Sequence, residues 1–427
     1  MEHEVDGFVV VEHADVQAAD APPYLDEISK FVDDIADSLW PVNKTIHDNP
    51  ELGYKEKLAH KTCTDFMERQ PGWKVIRSAY GMETAWVAVF DSGKKGPNIS
   101  FNVEMDALPG IGHACGHNLI ASASISGALA AASVMHSHSL PGRIVVFGTP
   151  AEEGGGGKIA LLKAGAYRDY KCDINLISHP GLATNCALMS TSAITLFKVV
   201  YHGREAHAAA APWMGINALD ALITAYNALS VLRQQTMPGD IIQGYITEGG
   251  TATNIIHARA SGKFGVRANT QARLKELRKK VDACFEAGAL ATGAKLEMSQ
   301  EESYADHVPN RALGRSYTRY FNSLDPDPPI EEDQDKDAII GRTGASTDQG
   351  DISYAMPSLS AGFAIPPGPL GTGPHNPEFA KSAGTREAFD RAMRVGKGLA
   401  GTALVVLTQR GLLEEVKKEW RDTMKGK

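Results

Sequence analysis

The first 29 residues contain no lysine or arginine, so the chain opens without the positive region that a secretory signal or a mitochondrial presequence needs. Cysteine is scarce. The five present, Cys63, Cys115, Cys172, Cys186 and Cys284, are odd in number and irregularly spaced, which argues against a disulfide framework and for a reducing, cytoplasmic setting. No apolar run reaches the ~20 residues of a membrane span. The longest weakly polar stretch, residues 119–135, is broken by four serines and a glycine and reads as a buried helix. A basic excess is missing too: 43 Lys and Arg against 51 acids leave a net charge of −8. Such a surface has no field to hold a phosphate backbone, so neither nucleic acid nor a membrane is an expected partner. No internal repeat is found.

What is present is an ordinary globular composition, 43% hydrophobic and 22% charged over 427 residues, enough for two or three folded units. Residues 1–22 carry six acids and little apolar periodicity, and read as a loosely ordered tail. Leu25, Ile28, Phe31, Ile35 and Leu39 then recur at helical spacing until Pro41 interrupts the pattern. Apolar strands at 84–90, 98–105, 143–148 and 173–178 alternate with helical stretches at 54–69, 119–135 and 158–166, which predicts an α/β layer fold with a mostly parallel sheet. After residue 192 the rhythm becomes strand, helix, strand, strand, helix, strand, the split ferredoxin-like order. Because α/β material resumes near 305, residues 192–304 read as a domain inserted into one built from 23–191 and 305–427. The segment 325–337, with seven acids and three prolines, reads as a solvated loop.

In an open α/β sheet ligands collect at the carboxyl ends of strands, and three of the predicted strands end in reactive residues. The first runs into Asp106-Ala107-Leu108-Pro109-Gly110 and His113-Ala114-Cys115-Gly116-His117. Cys115 and His117, two apart in a glycine-containing turn, can aim thiolate and imidazole at one zinc-like ion; alone, such a tripeptide is more often a buried turn. The second ends in Glu152 and Glu153. Adjacent side chains on extended backbone point apart, so one carboxylate can bind metal while its neighbour holds a water; alone, the pair reads equally well as a solvated turn beside four glycines. The third ends at His179, which alone is more often structural. Convergence of all three at one sheet edge favours a site.

These motifs, together with Pro374-His375-Asn376-Pro377-Glu378-Phe379, resemble the zinc aminoacylase, hippurate hydrolase and auxin-conjugate amidohydrolase family. Further matches lie at residues 47–53, 203–207 and 254–256, and the resemblance spans about residues 24–405. It implies a zinc-peptidase-like α/β catalytic domain with an inserted ferredoxin-like dimerisation domain, and a homodimer. It also implies Cys115, His117, Glu153, His179 and His375 as ligands of two divalent transition-metal ions, with Cys115 the bridge. Zinc is the expected metal, with manganese, cobalt or nickel as alternatives. Glu152 takes the general-base role, which suits a carboxylate beside a metal-activated water, and Asp106 stands behind, orienting a ligand imidazole.

The same resemblance has His207 of the inserted domain reaching the partner subunit's site to stabilise an oxyanion. Asn254 and Arg267 match substrate-contacting positions, and Arg267 can hold a free carboxylate bidentately. One departure is visible: Cys-Gly-His is followed by Asn118-Leu119-Ile120 rather than by an Asp and a further His. With residues 153–158, 207–213 and Ser346-Thr347-Asp348, this variant looks like the subgroup of β-alanyl-lysine and Xaa-Arg dipeptidases. The expected activity is hydrolysis of the amide bond of a dipeptide or N-acyl amino acid. Two other readings stay open. One is an amide-forming or transfer enzyme on the same site, since both directions share a transition state. The other is a non-catalytic dimeric binding protein, against which the intact Glu152 and full ligand set argue.

Overall fold

The computed structural model describes residues 2–5, 8–11, 21–181, 184–368, 370–371 and 373–427. Glu2–Val5 and Phe8–Val11 pair as an antiparallel hairpin, and most of the remaining tail expected over 1–22 lies outside the described residues. The main sheet has six strands in the order Ser358–Ala364, Ile174–Gly181, Asn98–Glu104, Arg143–Thr149, Trp86–Asp91, Trp73–Ile76. The first four run parallel, and the last two join by antiparallel pairings. All four strands expected before residue 192 are present with small shifts at their ends. Ser358–Ala364, which comes after the ferredoxin-like segment, pairs in parallel with Ile174–Gly181. The chain therefore returns to its first sheet, and the middle segment is an insertion.

One face of this sheet is covered by the helices Leu25–Asp48, His117–Ser137 and Arg386–Thr408, which share one core. The other carries Gly157–Lys163 and Gln349–Ala355 over Val87, Val145 and Phe147. Every residue from His117 to Ala132 is buried. By length and composition alone that helix is apolar enough to cross a membrane, yet it fills the centre of the domain. Its close neighbour Arg386–Thr408 is admitted by two glycines: a Cβ at Gly127 would lie 2.9 Å from the Gly396 carbonyl, and one at Gly396 would overlap the Ser126 hydroxyl.

Two expectations are corrected. The first helix runs through Pro41 to Asp48 instead of ending there. Pro41 is exposed, so the missing amide falls on the solvent side, while Val42 and Ile46 beyond the interruption are buried. A helix-interior proline costs about 3 kcal/mol, and burying two aliphatic side chains at roughly 1.5–3 kcal/mol each offsets it. The second correction concerns 325–337. A helix, Gln334–Ile340, starts inside it, and Asp337 is only 1% exposed because its carboxylate accepts hydrogen bonds from the amides of Ala187 and Leu188 at 3.1 and 2.9 Å.

The inserted unit comprises Ala193–His202, Ala218–Leu232, Ile241–Glu248, Arg259–Ala268, Gln271–Thr292 and Lys295–Tyr304. Its antiparallel sheet, ordered Ile241–Glu248, Arg259–Ala268, Ala193–His202, Lys295–Tyr304, is the ferredoxin-like arrangement. Both helices start on side-chain caps, Asn217 and Thr270, which satisfy amides that the first turn leaves free. The unit has its own core around Phe197, Phe264 and Phe285.

Candidate metal centre

Strand order sets the site, because Ile174–Gly181, Asn98–Glu104 and Arg143–Thr149 are sheet neighbours and their carboxyl ends lie together. Beyond Glu104 the chain turns through Gly116, whose φ of 75° and near approach to Pro180, 2.6 Å from a built Cβ, admit only glycine without strain. The buried helix then begins at His117. Cys115 Sγ comes to 3.3 Å from His179 Nε2. His117 Nδ1 is 3.2 Å from Asp106 Oδ1, which leaves Nε2 facing inward. The other Asp106 oxygen accepts from the Glu153 amide at 2.9 Å, so one carboxylate braces both the imidazole and the loop that carries the acids.

That loop bends at Ala151, which has a φ of 56°, a left-handed conformation costing a non-glycine residue on the order of 1–3 kcal/mol. A buried carboxylate holds it there. Glu56 Oε1 accepts from the Ala151 amide at 2.8 Å and from the Tyr54 amide, while Oε2 accepts from the Thr84 hydroxyl. On the far side His375, also left-handed at φ 65°, is tied by its amide to the Ala114 carbonyl at 2.8 Å. Its Nε2 sits 3.3 Å from Glu153 Oε1. The donor atoms form two triads that share Cys115, one with His117 and His179 and one with Glu153 and His375, each within 4.8 Å. A third triad joins Glu104, His117 and Glu152.

The electrostatics follow from burial and crowding. Burial pushes the Cys115 thiol up. Burial and the nearby Glu104 charge raise the Glu152 carboxyl well above its usual range. Burial disfavours a charged His117, but Glu104 and Asp106 outweigh it and lift its pKa well above the ordinary histidine value. Asp106 is likewise opposed by burial, yet His117 and the amides of Glu153 and Glu152 hold it low. Glu104 Oε2, His117 Nε2 and Glu153 Oε1 are buried without a hydrogen bond, a costly state for polar atoms. A thiol, three imidazoles and a carboxylate with bare atoms facing one another fit a pair of divalent transition-metal ions.

A cavity of about 660 Å³ opens on these residues. Glu152, Glu153, Cys115, His179 and His375 line one side, and Arg267 with residues 340–347 lines the other. Arg267 Nη1 donates to Ser346 Oγ at 2.8 Å and Gly344 O at 3.3 Å, and among the described residues it has no carboxylate partner. His207 and Asn254 are exposed and do not line the cavity of their own chain. They sit together on a ribbon where Ala206–His207 pairs with Ile255–Ile256. The amides of Ala209 and Ala210 donate to His207 Nδ1 at 3.2 and 3.1 Å, which assigns the proton to Nε2 in the neutral ring.

Four residues have no role in the sequence reading: Glu56 and Glu104, and Lys158 and Asp348, which enter it only within the subgroup motifs. Glu104 had a positional signal, lying two residues before Asp106 and so on the same side of an extended segment. The departure at Asn118 is structural: the buried amide donates to Asn43 Oδ1 and the Ala383 carbonyl at 3.0 and 2.8 Å, tying three helices together.

Residues 190–292 match the model of a peptidase dimerisation domain. The Xaa-Arg dipeptidase of Mus musculus is 37% identical to this chain over 91% of it and 90% of the relative. The chain belongs to the M20 peptidase family. The Homo sapiens Xaa-Arg dipeptidase is 36% identical over 92% of this chain and 91% of its own length. A solved Bacillus subtilis structure, described as a dinuclear metal-binding peptidase from the M20 family, shares the fold at a TM-score of 0.66 and 16% identity, covering 88% of this chain and 99% of that one. This M20 hydrolase thus combines the metallopeptidase α/β domain with an inserted dimerisation domain.

Proposed function

We propose that this M20 hydrolase is a dipeptidase or N-acyl amino acid amidohydrolase that works as a homodimer with two divalent ions per chain. The observation that carries the reading is the pair of donor triads sharing Cys115, with Glu152 beside them, at the floor of a cavity of dipeptide size. Cys115, His117 and His179 would hold one ion, and Cys115, Glu153 and His375 the other. When bound, such ions supply electrophilic activation of the amide carbonyl and of a water. Glu152 takes the proton from the attacking water and returns it to the leaving nitrogen, a shuttle that its raised pKa favours. Asp106 keeps His117 in one orientation. Arg267, half-buried and lacking a carboxylate partner, holds the substrate carboxylate.

His207 serves the partner subunit's site. It projects from the inserted domain, lies outside its own cavity, and carries its proton on the outward Nε2, the form an oxyanion donor requires. The relatives named above make an Xaa-Arg dipeptide the leading substrate. All five cysteines are unpaired, which supports a reducing, cytoplasmic setting. The test is to load the protein with Zn²⁺ or Mn²⁺ and incubate it with Xaa-Arg and β-alanyl-lysine dipeptides, neutral dipeptides and N-acyl amino acids. Cleavage of at least one class is expected, and cleavage of none under either metal would refute the reading.

A further inference from the structure

Beside the two triads stands a buried carboxylate that neither of them uses. Glu104 closes the strand Asn98–Glu104 and is 2% exposed. Its two oxygens have opposite surroundings. Oε1 lies 2.7 Å from the ammonium of Lys158, a fully buried lysine. That ammonium also pairs with Asp348 Oδ1, while Asp348 Oδ2 accepts from the Lys158 amide at 2.8 Å. Oε2, in contrast, has no hydrogen bond. It faces His117 Nε2 at 3.4 Å, itself without a hydrogen bond and aimed into the site because Asp106 engages Nδ1.

The separation is informative. Two donors each about 2.1 Å from a zinc-sized ion, at a tetrahedral angle, lie about 3.4 Å apart. We propose that Glu104 is a further ligand of the ion held at His117, with its carboxylate oriented by Lys158 and Asp348. The inference rests on the metal centre proposed above and extends it to a sixth protein ligand. Lys158 and Asp348 do for this carboxylate what Asp106 does for His117: each fixes the outer atom so that the inner one points at the ion. The added oxygen also changes the character of the site. Thiolate and imidazole favour zinc, whereas a carboxylate favours manganese, so Glu104 extends the range of metals the first position accepts.

The test reads metal binding directly. Co²⁺ and Mn²⁺ are titrated into metal-stripped wild type, Glu104→Gln and Glu104→Asp, with Co²⁺ followed by its visible absorption and occupancy by elemental analysis. Glu104→Gln leaves Lys158 paired with Asp348, so the buried ammonium keeps a carboxylate partner. Glu104→Asp keeps the charge that Lys158 needs but withdraws the oxygen from His117 by one methylene. Both variants are expected to weaken one of the two ions by at least about 10-fold, Mn²⁺ more than Co²⁺, and to change the Co²⁺ spectrum. The ion lost in His375→Ala is expected to bind both variants normally. If Glu104→Asp binds both ions as wild type does, with an unchanged spectrum, Glu104 merely balances Lys158 and the proposal is overturned. Should Glu104→Gln fail to fold, Glu104→Asp decides alone. A wild type that binds no metal would instead overturn the metal centre itself, a separate outcome.

Discussion

Glu152 and Glu153 are neighbours in sequence with opposite electrostatic fates. Burial and the Glu104 charge push Glu152 up; burial opposes Glu153 too, but His375 and His117 keep it ionised. One carboxyl is thus poised to carry a proton and the other to hold a cation. Glu152→Gln is expected to lower the hydrolysis rate by at least ~100-fold while leaving the metal content unchanged, measured by kcat and elemental analysis on the same sample. Loss of metal in that variant would mean that the two roles are reversed. Cys115→Ala or His375→Ala is expected to reduce the ions bound per chain. These residues were legible before any coordinates because each sits in a short motif at a strand end. The buried pairing of Lys158 with Asp348 was not: the two are 190 positions apart, and a lysine after four glycines looks solvated until the fold buries it. Glu56 was hidden for the same reason, since its partners Ala151 and Thr84 are remote in sequence.

At the scale of elements, the site depends on where two helices are allowed to start and touch. Gly116→Ala places a Cβ against Pro180 in a left-handed turn, and is expected to cost about 1–3 kcal/mol of stability and to displace Cys115 and His117. Urea denaturation reads the first effect and Co²⁺ absorption the second. Gly396→Leu, at the crossing with His117–Ser137, is expected to cost a similar 1–3 kcal/mol by overpacking and to lower the thermal midpoint. The weakly polar run at 119–135 reads as a buried helix from sequence, while Arg386–Thr408 has no such reading, and periodicity marks the first helix. Periodicity misjudged Pro41, since local propensity cannot register the buried residues that continue past a solvent-facing proline. Composition misjudged Asp337 likewise: an acid in an acidic run reveals nothing of the two backbone amides, some 150 residues away, that satisfy it.

For the whole molecule, the proposal is that His207, which lies outside the cavity of its own chain, serves the site of a second chain. Complementation tests that shared site. Removing an oxyanion donor costs about 100- to 1,000-fold in rate, so His207→Ala and Glu152→Gln should each be nearly inactive. Co-expressed, their heterodimer has one site with both lesions and one with neither, and about a quarter of wild-type activity is expected from a random mixture. A confirmed heterodimer with no recovered activity would place His207 in its own chain's site. Insertion, return of the chain to its sheet and ferredoxin-like order were all readable from the alternation of strands and helices. The proposed role of His207 at a partner's site came from the resemblance alone, because an exposed histidine on an alanine-rich loop has no pattern that names its target.

The central claim, a hydrolase whose chemistry requires ions held by the two triads, is tested most directly by reconstitution. Metal-stripped protein is titrated with Zn²⁺ or Mn²⁺ while cleavage of a dipeptide from the panel is followed. The expected result is negligible cleavage without metal and a rise that levels off by about two ions per chain, absent from Cys115→Ala at the same ion concentration. Cleavage at the full rate by the stripped protein, or by Cys115→Ala, would contradict the account.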